Sequence, residues 1–156
     1  MSGPVGHTFI YNLIILFVVI VFSFLAGTMS YYKAFKINNR IVSSIEKFEG
    51  YNTSEMGRGG SIEEINRTLS SFGYSIVDNF DCPDSYKKMN IVAISDPING
   101  TNGFKYCVYS NNLSPSAGTY YQYGVLTYMN IDIPFVNKIN IPVFTRTNLI
   151  YKFTNE

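Results

Sequence analysis

The sequence has 156 residues, 46% hydrophobic and 15% charged, against roughly 25% charged in an average soluble domain. Twelve Lys and Arg balance eleven Asp and Glu to a net +1, which excludes a strongly basic nucleic-acid binder, and the length suits one domain. The charge is unevenly placed: residues 1–32 contain no Lys, Arg, Asp or Glu and the first charge is Lys33, so neither a uniformly soluble globule nor a mostly disordered chain fits.

In chain order, residues 1–8 read as an N-terminal tail. Residues 9–29, FIYNLIILFVVIVFSFLAGTM, read as a transmembrane helix, because 21 residues rise ~30 Å, the depth of a bilayer core. Asn12 and Ser23 are its polar interruptions, and Tyr11, Tyr31 and Tyr32 sit near its two ends as interfacial rings. A cleaved secretory signal is the rival reading. It would carry a basic leading segment and a shorter apolar run, neither of which is present. Lys33, Lys36 and Arg40 follow the span, which by the positive-inside rule places the following domain in the cytoplasm. The short leading tail and a candidate disulfide place it outside, and an extracellular domain on a single-pass anchor is the expectation.

Residues 30–50 continue as an amphipathic helix, with Ile37, Ile41, Ile45 and Phe48 on one face and Gly50 as its stop. The globular α+β domain is expected over 51–156. Tyr51 to Gly60 is a loop, and Gly57, Gly59 and Gly60 loosen it. Ser61 to Phe72 is a second helix opened by a Ser61–Glu64 capping box, with Ile62, Ile65, Leu69 and Phe72 as its docking stripe and Gly73 as its end.

The remainder predicts an antiparallel sheet. Ile91–Ser95 and Phe104–Ser110 are short strands separated by the turn pairs Asn99-Gly100 and Asn102-Gly103. Thr119–Ile133 alternates with its apolar face on the odd positions. Lys138–Phe153 reads as one last strand with apolar odd positions, Leu149 and Tyr151 among them. Pro134 and Pro142 confine themselves to ends, edges or bulges.

Cys82 and Cys107 are the two cysteines. They are read as a disulfide closing a loop worth ~3 kcal/mol in the chain-entropy account, with two unrelated buried thiols as the alternative. His7 is the single histidine and precedes the membrane segment. That leaves no zinc set, no Ser-His-Asp set and no Cys-His pair, so no catalytic, cofactor-binding or metal residue is assigned and no enzyme is expected. Asp78, Asn79, Asp81 and Asp84 offer oxygen ligands without EF-hand spacing, and read as turn residues. Tyr120, Tyr121, Tyr123 and Tyr128 are a candidate interaction surface, weighed against plain sheet packing. The partner expected of the apolar span is the lipid bilayer. No nucleic acid, cofactor or small-molecule substrate is expected.

The run Gly6-His-Thr-Phe-Ile-Tyr-Asn-Leu-Ile14 entering the helix, Ile41-Val-Ser-Ser-Ile-Glu-Lys-Phe-Glu-Gly50 ending it, and the segments Tyr128-Met-Asn-Ile-Asp-Ile-Pro134 and Ile139-Asn-Ile-Pro-Val-Phe-Thr-Arg-Thr147 give a layout that resembles pilin-like proteins of the type IV filament class, and within it the tight-adherence (Tad) minor pilins of Gram-positive bacteria. The resemblance implies a structural subunit of a cell-surface filament or secretion apparatus. It implies processing at Gly6 and assembly with other pilin-like subunits through an apolar helix face comprising Phe9, Leu13, Leu16, Phe17, Ile20 and Phe24. The chain differs from that group in having no basic residue before Gly6, and Tyr11 where a Glu is usual. Two other readings remain open: a monomeric anchored surface-binding or adhesion module, and a cytosol-facing membrane adaptor with free thiols.

Overall fold

The computed structural model describes residues 4–53, 59–72, 80–95, 105–113, 119–131 and 139–152. The fold is α+β: a long helix α1 (Pro4–Lys47), a short helix α2 (Ser61–Phe72), and strands β1 (Ser85–Tyr86), β2 (Met89–Ser95), β3 (Tyr106–Leu113), β4 (Thr119–Ile131), β5 (Ile139–Arg146) and β6 (Ile150–Lys152). The expected junction of membrane helix and amphipathic extension is one unbroken helix of 44 residues, ~66 Å long at 1.5 Å per residue. Gly73, the pairs Asn99-Gly100 and Asn102-Gly103, Pro134, Lys138 and Phe153 lie outside the described residues.

Helix α1 ends in a Schellman motif. The Gly50 N–H donates to the Ile45 carbonyl at 2.9 Å and the Glu49 N–H to the Glu46 carbonyl at 3.2 Å, satisfying carbonyls the helix leaves open. The left-handed residue of the motif is Glu49, with φ 54°, and Gly50 follows it at φ 155°. The stop signal is therefore one residue off the position that glycine usually fills.

The start of α2 corrects the expected capping box. Glu63, not Glu64, accepts the Gly60 N–H at 2.6 Å. Gly60 is the N-cap, which makes Glu63 the third helical residue, where the reciprocal carboxylate belongs. The Ser61 hydroxyl instead accepts the Asn52 N–H at 2.8 Å, tying the two ends of the loop together. Glu64 faces Lys47 of α1 at 3.5 Å, an exposed pair of little energetic weight.

The sheet is antiparallel in the order β1-β2-β3-β4-β5, and β6 pairs β4 beyond β5. Both faces of its centre are buried. On one face Tyr106, Val108, Tyr123 and Val125 pack with Ile37, Ile41 and Ile45 of α1 and Ile65 and Leu69 of α2. On the other, Cys107, Tyr109 and Leu126 pack with Phe80 and Met89. The residues from Tyr106 to Tyr109 are consequently buried without alternation, as in a strand covered on both sides. The single apolar face expected for β4 is thus two: Leu126 is as buried as Val125, at 0% exposure each.

The last strand expected from the sequence is two. Gly124 pairs with Arg146 and Tyr121 with Ile150, so three residues, Thr147 to Leu149, stand opposite the two residues Gln122 and Tyr123. This β-bulge shifts the side-chain parity. Ile150 is buried and Leu149 exposed, the reverse of the odd-position pattern. Pro142 lies on β5, an edge strand, where a missing N–H is tolerated.

Candidate functional site

The two halves of α1 meet different surroundings. Every large apolar side chain from Phe9 to Met29 is exposed, from 37% at Val19 to 71% at Phe24. From Ala34 onward the helix is the spine of the domain core, with Ile41 and Ile45 at 0% exposure. Fully burying one such side chain is worth about 1.5–3 kcal/mol, so the C-terminal half is held firmly by packing, whereas the large apolar side chains of the N-terminal half are exposed among the described residues. The helix is long and apolar enough to cross a membrane. Phe9, Leu13, Leu16, Phe17, Ile20 and Phe24 all lie in the exposed half, and Gly6 is an exposed helical residue with open space around it.

The grip between helix and sheet is partly polar. Asn38 is fully buried, and its Nδ2 donates to the Val125 carbonyl at 3.1 Å and the Val143 carbonyl at 2.9 Å. Those carbonyls belong to β4 and β5, so one amide pins the helix across two strands. Beside it Ala34 packs on Val143 and Ile141. At the other end of the interface the Glu46 carboxylate accepts the Asn148 N–H at 2.6 Å. The helix therefore runs in the direction of β5, from Val143 to Asn148, and the start of β5 is the end of the domain nearest the apolar half. The signal for Asn38 was present in the sequence as a polar residue inside the Ile37–Ile41 stripe.

The face away from α1 is held by a disulfide between Cys82 and Cys107, 25 residues apart in sequence. It clamps the segment containing Phe80 and Pro83 over the sheet. The Phe80 ring lies 4.4 Å from that of Tyr128, and the Tyr109 hydroxyl donates to the Pro83 carbonyl at 2.9 Å. Burial, aided by Tyr128, Tyr86 and Asp84, pushes the Tyr109 hydroxyl up to about 12. Burial also raises Tyr128, with Tyr86 adding to it. On the helix side Tyr106, buried and 3.3 Å from the Tyr51 hydroxyl, is raised further still.

The four tyrosines singled out on β4 do not share one surface. Tyr123 is buried in the helix-side core and Tyr121 packs against it. Tyr128 belongs to the opposite core, and Tyr120 lies 5.1 Å from Tyr151. Of the acidic loop, Asp81 and Asp84 are exposed while Asp78 and Asn79 lie outside the described residues. Among the described residues no three His, Cys, Asp or Glu side chains converge as a metal-binding group.

One feature had no signal in the sequence. Tyr86 pairs with Met89, so Lys87 and Lys88 form a two-residue turn, and both have positive φ, 48° and 67°. Such turns favour Asn-Gly, because a Cβ crowds the left-handed conformation. The Lys87 carbonyl accepts the Arg146 Nη2–H at 3.1 Å.

Comparison with models of protein families, with curated proteins and with solved structures finds no match to this chain.

Proposed function

We propose that the chain is a pilin-like structural subunit of a cell-surface filament or secretion apparatus, anchored in the membrane and assembled with other subunits through the exposed half of α1. One observation carries the reading. A single helix exposes its large apolar side chains from Phe9 to Met29 and buries one face in the domain core from Ala34 to Ile45, with no break between. Bare apolar surface on that scale needs lipid or other helices around it. A helix continuous with the domain lets subunits pack through helices while the domains form an outer layer. The disulfide supports an external domain, since such bonds persist in oxidising compartments.

The test is mechanical shearing of cells followed by size separation. A subunit of an assembly leaves with high-molecular-weight particles and cross-links to further subunits through cysteines placed at Leu16 or Ile20. Recovery only with the membrane fraction, without cross-links, favours the second reading, a monomeric anchored binding module. Labelling of Cys82 and Cys107 by an impermeant thiol reagent only after reduction places the domain outside. Free thiols reached only after lysis overturn that placement.

A further inference from the structure

Arg146 of β5 meets the Lys87–Lys88 turn. The Arg146 guanidinium is fixed by the Lys87 carbonyl at 3.1 Å. Lys87 Nζ lies 5.0 Å and Arg146 Cζ 5.6 Å from the centre of the same Phe144 ring. Lys87 Nζ is also 5.8 Å from the Tyr86 ring, and the Tyr86 and Phe144 rings are 5.0 Å apart. Two cations thus share one aromatic platform, and the exposed Lys88 stands next to them in the turn. Among the described residues none of the three is paired with a carboxylate.

The Phe144 ring attracts each cation while the two cations repel one another, and both lysines hold a backbone conformation that Asn or Gly adopts more easily. Strain that persists at two adjacent residues points to a task for their side chains. A phosphate group answers the charge: its oxygens match the guanidinium fork, and ammonium groups bind it as point charges.

We infer that Lys87, Lys88 and Arg146 form a docking site for phosphate groups of a soluble polyanion. The placement favours a polymer over the chain's own membrane. Arg146 lies three residues along β5 from Val143, which packs on Ala34 at the end of the domain nearest the apolar helix. Three strand residues carry the site ~10 Å further from that end. The site is independent of whether the chain assembles.

The experiment uses the full chain in uncharged detergent or in neutral nanodiscs. Binding is measured to inorganic polyphosphate, to inorganic phosphate, and to vesicles containing anionic phospholipid. The double variant K87N/K88G gives the turn its preferred residues while removing two charges, so the domain stays folded and melts at higher temperature than the parent. Polyphosphate should bind the parent, weaken as salt is raised, and bind K87N/K88G at least about tenfold less tightly. K87R/K88R should retain binding and R146Q should lose it. Equal binding by parent and K87N/K88G, or no polyphosphate binding at low salt, overturns the inference. Binding confined to the anionic vesicles overturns it in favour of a membrane surface.

Discussion

Thr147 and Tyr123 exchange two hydrogen bonds through different parts of one residue. The Thr147 N–H donates to the Tyr123 carbonyl at 2.9 Å, and the Tyr123 N–H donates to the Thr147 side-chain hydroxyl at 3.0 Å. The hydroxyl takes the place of a backbone carbonyl that the bulge has turned away. Gln122 Nε2 donates to the Thr147 carbonyl at 3.1 Å. Substituting Thr147→Val keeps the shape and leaves the buried Tyr123 N–H without its acceptor. Unfolding experiments should show a loss of about 1–3 kcal/mol, while Thr147→Ser, which keeps the hydroxyl, should lose less. Equal losses in the two variants would mean that the methyl group matters and the hydrogen bond does not.

Asn38 should be intolerant of acidic replacement. In Asn38→Asp, a carboxylate faces the carbonyls of Val125 and Val143 where a donor stood. Burial and those oxygens raise the carboxyl above its unfolded value of ~3.9. The variant is therefore least harmed below that value, where it is protonated in both states, and loses stability as pH rises through the window between the two values. Thermal melting of Asn38→Asp and Asn38→Leu from pH 3 to 7, each referenced to the parent, separates the effects: only the Asp variant should show the added pH dependence.

Glu49 holds a left-handed conformation at the end of α1. Replacing it by Gly removes the Cβ from a position where glycine is the usual residue. Glu49→Gly should raise stability by about 1 kcal/mol, and Glu49→Val should lower it. Denaturant midpoints measured at fixed m-value check both signs.

Gly124 is the one described strand glycine whose replacement meets an obstacle. A Cβ there would lie 2.5 Å and 2.8 Å from two carbons of the Phe144 ring and 3.0 Å from the Met89 sulfur. Gly124→Ala should cost about 1–3 kcal/mol by forcing that ring aside. Adding Phe144→Leu should cost less in the Gly124→Ala background than in the parent. Purely additive losses in the double-mutant cycle would show that the ring is not the obstacle.

Alkaline titration should reveal the buried tyrosines. The Tyr109 hydroxyl is held up to about 12, and Tyr106 is raised as well. The unfolded chain releases these protons near pH 10, so the folded state retains more of them. By linkage their contribution keeps stability flat below about pH 10 and makes it fall from there toward pH 12. In Tyr109→Phe the decline should be shallower than in the parent, although the variant also loses the bond to the Pro83 carbonyl.

The sequence made the helices and the disulfide legible because each rests on a long or unique pattern. An uncharged run of 32 residues, an isoleucine stripe at helical spacing and a single pair of cysteines admit few alternatives. The misses are single-residue events. One inserted residue at Thr147–Leu149 exchanges the roles of Leu149 and Ile150, and nothing local marks it. Gln122, Gly124, Asn130 and Asp132 made the even side of β4 read as polar, yet Leu126 and Tyr128 lie on that side and meet the segment containing Phe80. Glu63 and Glu64 differ only in which residue proves to be the N-cap. The Lys87–Lys88 turn was invisible because its residues are the wrong ones for its conformation, and the polar grip of Asn38 depends on strands far away in the chain.

An unbroken α1 leaves the domain without a wrist. Many anchored domains hang from a flexible linker and sample orientations freely, whereas here the exposed apolar segment, long and apolar enough to cross a membrane, and the segment buried in the core belong to one continuous helix. In a bilayer, the orientation of the helix is then the orientation of the domain. From Ser30 to Lys47 the helix extends ~26 Å, so a tilt of ~20°, common for membrane helices, carries the far end of the domain sideways by about 9 Å. A rotation about the helix axis turns the face bearing Lys87 and Arg146 through the same angle. With α1 in a membrane, lipid thickness or a neighbouring helix would thereby steer which surface the domain presents.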